Sequence, residues 1–316
     1  MDIEQEEMQF LGVFGIFKES YKLISSCRKI FTNITLALIL PLSFFYFVNA
    51  QVSSLFSKNA NYEKPFDLIS HEWLYFWLFN VAYFTLSLIF SLLSSAAIVY
   101  TIACVYIAQE LSFKKVMSVV PKVWKRLMVT FLSIFVAMFF YLVAAGLVFF
   151  IWAFSVGGTQ TFGVGVLVIL VILFIVGLLY LTTIWHLAST ISVLEEAYGF
   201  SVMVKSKNLI KGKLRLAIFI FVIISLLSGF NHIAFKMLVV EGNNIGMVRV
   251  VYAIICLLSL FITILFGLVV QTVIYFVCKS YHHENIDKSI LSDHLEVYLL
   301  REYTVLRAKD VQLFHV

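Results

Sequence analysis

The stretch Gly163–Leu194, GVGVLVILVILFIVGLLYLTTIWHLASTISVL, decides the fold. It runs 32 residues without a single Asp, Glu, Lys or Arg, and His186 is its only titratable imidazole. A run of about 20 apolar residues already crosses the roughly 30 Å hydrocarbon core of a bilayer as a helix. Five more stretches of this kind lie outward from it, near residues 32–52, 73–108, 127–154, 214–235 and 250–278. Across all six the only other groups that could carry charge are Arg215, at the first turn of the fifth, and His232.

The whole composition agrees. Of 316 residues, 62% are hydrophobic, 16% aromatic and only 13% charged, with a mean hydropathy of +0.99. A soluble domain carries roughly 25% charge. These proportions exclude an ordinary soluble domain, a disordered chain and a nucleic-acid binder. Four cysteines, Cys27, Cys104, Cys256 and Cys278, are too few for a disulfide framework and form no C-x-x-C pair, so they read as free thiols. The expected fold class is therefore all-α, a polytopic six-helix transmembrane bundle, with residues 1–31 before it, the membrane domain over 32–280 and a tail from 281 to 316.

The second, fourth and sixth stretches are longer than one crossing requires. The second, at 36 residues, reaches about 54 Å if straight, so these even-numbered helices are expected to protrude from the lipid on one side. The first stretch is not expected to be a cleaved leader, because five acids and four bases precede it within 31 residues.

Charge sets the expected orientation. Nineteen of the 23 bases fall in the N-terminal segment, the second and fourth connections and the tail; only Lys58, Lys64, Lys236 and Arg249 fall on the other side. Positively charged connections stay cytosolic, which places both termini in the cytosol. The sequon Asn33-Ile34-Thr35 then lies at the cytosolic face and is expected to stay unmodified.

The basic connections resemble one another. Each sets apolar residues at helical spacing among bases: Phe17, Tyr21, Ile24 and Phe31 in the first; Phe113, Met117, Val120, Trp124 and Leu127 in the second; Phe200, Met203, Ile210 and Leu214 in the third. At a shift of 86 residues Glu110, Val116, Met117 and Lys125 coincide with Glu196, Val202, Met203 and Lys211. The pattern suggests three tandem units of interfacial helix plus two spans, near 12–108, 109–194 and 195–280. Lys114, Lys115, Lys122, Lys125, Arg126, Lys205, Lys207, Lys211, Lys213 and Arg215 are the candidate contacts for anionic lipid headgroups, each worth on the order of 1 kcal/mol near such a surface. The plainer reading is that they enforce topology alone. Pro121 is expected to break its helix, with the third span starting anew after it. Beyond the last span, Asp287 could cap a helix to about Tyr303 whose apolar face, Leu291, Leu295, Tyr298 and Leu299, packs on the bundle or the membrane.

Little in the chain points to chemistry. The spans hold no acid or base at mid-depth, where a transporter or membrane enzyme would need one. His186 and His232 read as hydrogen-bonded interfacial histidines, and Glu110, Glu195 and Glu196 as salt-bridge partners of the nearby bases. A catalytic reading would need Glu110, Glu195, Glu196 and His186 to converge. His282-His283-Glu284 is a weak metal tract, because adjacent histidines do not share a helix face. Gly157 to Gly165 reads as a turn, not a phosphate cradle. Asn80, Gln271 and the cluster Ser91, Ser94, Ser95, Ala96 and Ala97 could line a polar path, but such side chains more often serve close helix packing. The expectation is no enzyme, no cofactor and no metal.

Glu7-Met8-Gln9-Phe10-Leu11-Gly12, Phe14-Gly15-Ile16, Pro41-Leu42-Ser43-Phe44, the Lys211-Gly212 connection and Cys278-Lys279-Ser280-Tyr281-His282-His283 together resemble a plant family of uncharacterised multi-pass membrane proteins. The resemblance covers the whole chain and implies six spans, but no activity. Some members carry a name implying interaction with poly(A)-binding protein, for which these residues give no support. More distantly, the helix-plus-span units resemble the membrane domain attached to some bacterial glycerophosphodiester phosphodiesterases, whose catalytic domain this chain lacks. The functional expectation is a non-enzymatic scaffold or lipid-organising factor of the endomembrane system, in the endoplasmic reticulum or plasma membrane. Its partners would be membrane lipids, anionic ones above all. The alternative is a transporter or exporter of a neutral or amphipathic solute with its site between repeats.

Overall fold

The computed structural model describes residues 5–60, 71–107, 113–156, 160–195, 197–242 and 246–282. Among them there is no strand. A short helix α1, Gln5–Met8, precedes α2, Val13–Ser26; α3, Arg28–Ile34, then passes through a π turn, Thr35–Ile39, into α4, Leu40–Ala60. The long helices α5, His71–Ile107, α6, Phe113–Val156, and α7, Gln160–Leu194, follow. The short α8, Phe200–Leu209, leads to α9, Leu214–Phe235, a second π turn, Lys236–Val240, and α10, Met247–Tyr281. In both π turns an i→i−5 bond replaces the α-helical one: Leu40 N–H donates to the Thr35 carbonyl and Glu241 N–H to that of Lys236.

Among the described residues six helices are long and apolar enough to cross a membrane, and the chain is an integral membrane protein. Val and Ile fill α7, residues that favour strands in water. Hydrocarbon offers the backbone no partner, so a spanning segment must bond its own N–H and C=O groups, and a helix does so whatever the propensity. The outer faces confirm the solvent. Leu132, Phe135, Phe139, Phe140, Leu147, Phe150, Ile151 and Phe154 of α6 are 53–79% exposed, a continuous apolar surface that water would not tolerate.

The even-numbered spans are long, as expected. Helices α5, α7 and α10 hold 37, 35 and 35 residues, about 52–55 Å at 1.5 Å per residue. Their C-terminal ends are buried all round: every residue from 94 to 104 in α5 and from 269 to 278 in α10 is buried, as are 190 to 194 in α7. Protein, not lipid, wraps these ends.

Pro121 does not break its helix. It lies inside α6, which runs 44 residues without interruption. Val116, Val119, Val120, Val123 and Leu127 form one buried stripe that continues past the proline, which is exposed on the opposite side. Burial of that stripe offsets the roughly 3 kcal/mol that an interior proline costs a helix. The expected stripes of the connecting segments are buried in part: Phe31, Val120, Leu127 and Ile210 are 2% exposed or less. Ile16, Ser20 and Leu23 are buried in α2 while Tyr21 is 67% exposed; Val202, Ser206 and Leu209 are buried in α8 while Phe200 is 58% exposed. Small residues such as Ser20 and Ser206 let helices approach closely, and Tyr21 and Phe200 are left outside.

The chain divides into two compact units, one of Met1–Ile16, Lys122–Val222 and Gln271–Val316, the other of Phe17–Pro121 and Ile223–Val270. In the second, α4 and α5 form an antiparallel hairpin, with Phe56 stacked on Phe76 at 4.1 Å and Phe45 against Phe90 at 5.7 Å. Phe47 stacks on Phe235 at 3.9 Å within a cluster that includes Val239, Val240, Cys256 and Leu260. The first unit holds the polar groups considered next.

Candidate functional site

Gln271, Tyr275 and Lys279 stand at i, i+4 and i+8 on α10 and therefore line one face of the helix. Each meets a polar group at the C-terminal end of α7 or beside it, so the two helices are joined by a ladder of polar contacts.

At the lower rung, His186 Nδ1 lies 3.0 Å from Gln271 Oε1. The Gln271 amide nitrogen donates to Ser189 Oγ at 2.7 Å and Thr190 Oγ1 at 3.0 Å. Ser189 and Thr190 in turn donate to the His186 carbonyl at 2.8 and 3.4 Å. The imidazole stacks on Phe221 of α9, with centroids 4.5 Å apart and planes at 15°. Buried amides earn their place only when fully bonded, and Gln271, 3% exposed, uses both ends of its side chain.

At the upper rung sits Glu195, just past the end of α7. Lys205 of α8 pairs with it at 2.6 Å and Lys279 at 3.3 Å, and the Tyr275 hydroxyl donates to it at 2.8 Å. Arg126 of α6 donates to the Glu195 backbone carbonyl at 3.3 Å. Four helices thus converge on one residue. Burial works to raise the carboxyl pKa, but the Lys205 hydrogen bond, the Lys279 charge and the Tyr275 hydroxyl together outweigh it and hold the group below its ordinary value. Nearby, Thr130 Oγ1 and Ser192 Oγ lie 3.1 Å apart, Gly199 N–H donates to Thr130 Oγ1 at 3.1 Å, and Ser206 of α8 donates to the Ile184 carbonyl at 3.0 Å.

A third contact joins two stretches that are far apart in the chain. The His282 ring nitrogen Nε2 donates to the Lys211 carbonyl at 3.0 Å, and Lys213 Nζ sits 5.3 Å above the Tyr281 ring. Gly212 has φ +91°, and a Cβ there would overlap Tyr281. Only glycine meets both conditions without strain.

The ten candidate headgroup contacts fall into two sets. Lys114, Lys115, Lys125, Lys207, Lys211 and Arg215 are exposed. Lys205, Arg126 and Lys213 are partly buried and committed to Glu195 or Tyr281. The Lys122 side chain lies outside the described residues. So do Glu110, Glu196, His283, Glu284, the glycines at 157 and 158, and the tail from Asp287 to Tyr303. Of the acid and histidine cluster a catalytic reading would need, His186 and Glu195 are described, nine residues apart on α7 and its end, and each is bound to other partners.

Asn80 is half-buried and donates to its own helix at the Phe76 carbonyl. Ser91 is exposed, whereas Ser94, Ser95, Ala96 and Ala97 are buried, which fits close helix packing. Tyr275, Ser206 and Thr130 carry no sequence signal as site residues, apart from the four-residue spacing of Tyr275 from Gln271 and Lys279.

Compared with curated proteins and with solved structures, the chain matches none. Its full length, residues 1–316, matches the family described as "Domain of unknown function (DUF8558)", and the chain belongs to that family.

Proposed function

We propose that the protein is a non-enzymatic organiser of anionic lipids, or a lipid-bound scaffold, in the endomembrane system (endoplasmic reticulum or plasma membrane), with both termini in the cytosol. One observation carries the reading. Six bases on α6, α8 and the turn into α9 are exposed, and among the described residues none of them pairs with a carboxylate, while Glu195 is taken up by Lys205 and Lys279. Exposed bases beside spans attract anionic headgroups, each on the order of 1 kcal/mol. The charge split between the two sides supports the orientation.

The test is lipid selectivity. Purified protein in mixed phosphatidylcholine and phosphatidylserine nanodiscs at about 0.15 M salt, where the Debye length is about 8 Å, should retain phosphatidylserine preferentially. Replacing Lys114, Lys115, Lys125, Lys207, Lys211 and Arg215 together by Gln should abolish the preference. Equal retention of both lipids by the unaltered protein overturns the reading.

Transport of a neutral or amphipathic solute is the second reading, favoured by the uncharged polar rung around His186 and Gln271. Solute flux in proteoliposomes that is lost with Gln271→Met would put transport first.

A further inference from the structure

The geometry points to a binding site at His186: we propose that its Nε2 atom accepts a hydrogen bond from the hydroxyl of a neutral membrane amphipath, the class to which sterols and diacylglycerols belong. This goes beyond lipid attraction by the exposed bases, and it involves different residues.

The hydrogen-bond network dictates the tautomer. Ser189 and Thr190 spend their hydroxyl protons on the His186 carbonyl, so their oxygens accept from the Gln271 nitrogen. That orients the Gln271 oxygen toward the ring, and an amide oxygen only accepts. Nδ1 therefore carries the proton, and Nε2 presents a lone pair. The polar atoms that are sealed in without a partner among the described residues are Ser87 Oγ, Ser95 Oγ, Trp152 Nε1 and His232 Nδ1. His186 Nε2 has no partner among the described residues either, but it is not closed off with them, and the residue is partly exposed. An acceptor is thus fixed in direction and has no donor among the described residues.

Depth and charge define that donor. Val164–Leu181 holds 18 residues whose only polar atom on a side chain is the Tyr180 hydroxyl. They cover about 27 Å, close to the roughly 30 Å hydrocarbon thickness. Thr182, Thr183 and His186 follow, at the level where acyl chains give way to headgroups and where the hydroxyl of a neutral amphipath resides. Phe221 covers one face of the ring and supplies an apolar flank. Among the described residues no carboxylate reaches the ring: Glu195 lies about 13 Å further along the helix and is held by Lys205, Lys279 and Tyr275. An ammonium donor would be left uncompensated, whereas a hydroxyl would not.

The experiment uses the full chain in phosphatidylcholine nanodiscs, labelled with 15N-histidine. The His186 resonance is identified among seven histidines by its loss in His186→Gln. Unaltered protein should show the Nδ1–H tautomer, and adding cholesterol or diacylglycerol should shift the Nε2 signal. Diazirine derivatives of cholesterol, diacylglycerol and phosphatidylcholine are then photolysed in separate arms. One hydroxyl probe should label peptides beside His186, and the arm that does so names the source. His186→Phe, which keeps a ring to stack on Phe221, should cut that labelling roughly fivefold, as expected for one lost hydrogen bond. An Nε2–H tautomer in the unaltered protein, no shift with either hydroxyl lipid, labelling by neither hydroxyl probe, or labelling equal to that by phosphatidylcholine overturns the proposal.

Discussion

Glu195 shows how much one side chain can hold. Its carboxylate takes Lys205, Lys279 and Tyr275, and its backbone oxygen takes Arg126. A carboxyl held below its ordinary value of 4.5 in the folded chain contributes stability that is complete above that value and is lost as pH falls through the folded value. Thermal unfolding in mild detergent should therefore show a melting temperature that drops as pH falls below about 4.5. Glu195→Gln should lower stability at pH 7 by about 2 kcal/mol, the usual loss for a hydrogen-bonded charge, and flatten the acid slope. An unchanged slope would show that other carboxyls govern acid unfolding. Gly212 offers a second test. With φ +91° and Tyr281 in the way, Gly212→Ala should cost about 2 kcal/mol or more. Adding Tyr281→Ala should recover only the part due to overlap. The ion pairing of Glu195 was legible from its place beside five bases, and the hydrogen-bonded character of His186 from its solitude. The identity of their partners was not, because Gln271, Tyr275 and Lys279 lie at least 80 residues away in the chain.

Among the elements, α6 departs most from its sequence. Local propensity says that Pro121 ends a helix, since the residue lacks an N–H and its ring crowds the preceding turn. The stripe Val116, Val119, Val120, Val123 and Leu127 says otherwise, and it prevails because all five are about 1% exposed or less. Pro121→Ala should accordingly raise the melting temperature, by up to the roughly 3 kcal/mol that the proline costs. A loss of stability would mean that the proline sets a bend the packing requires. In α2 and α8 hydrophobic spacing located the helices and set their apolar side toward the acyl chains; Tyr21 and Phe200 are exposed, and Ser20 and Ser206 are buried. The length of α5, α7 and α10, about 52–55 Å, was readable from the sequence, but α6 at 44 residues is longer still.

For the whole molecule, the count of bases on the two sides makes orientation a prediction that needs no further structure. A glycosylation acceptor placed in the 157–159 connection should be modified in microsomes, while Asn33-Ile34-Thr35 should not. The reverse pattern would invert the topology and remove the cytosolic leaflet from the lipid reading.

Sequence by itself determined the class and the six spans to within a few residues. Each of these follows from one property summed along a local window, the cost of placing polar groups in hydrocarbon. Only tertiary structure decided which face of each connecting helix is buried, that α6 is one helix, and that Glu195, His186 and Gln271 anchor polar junctions among four helices. Those outcomes depend on pairs of side chains remote in sequence, whose contact energies appear only once the backbones are brought together.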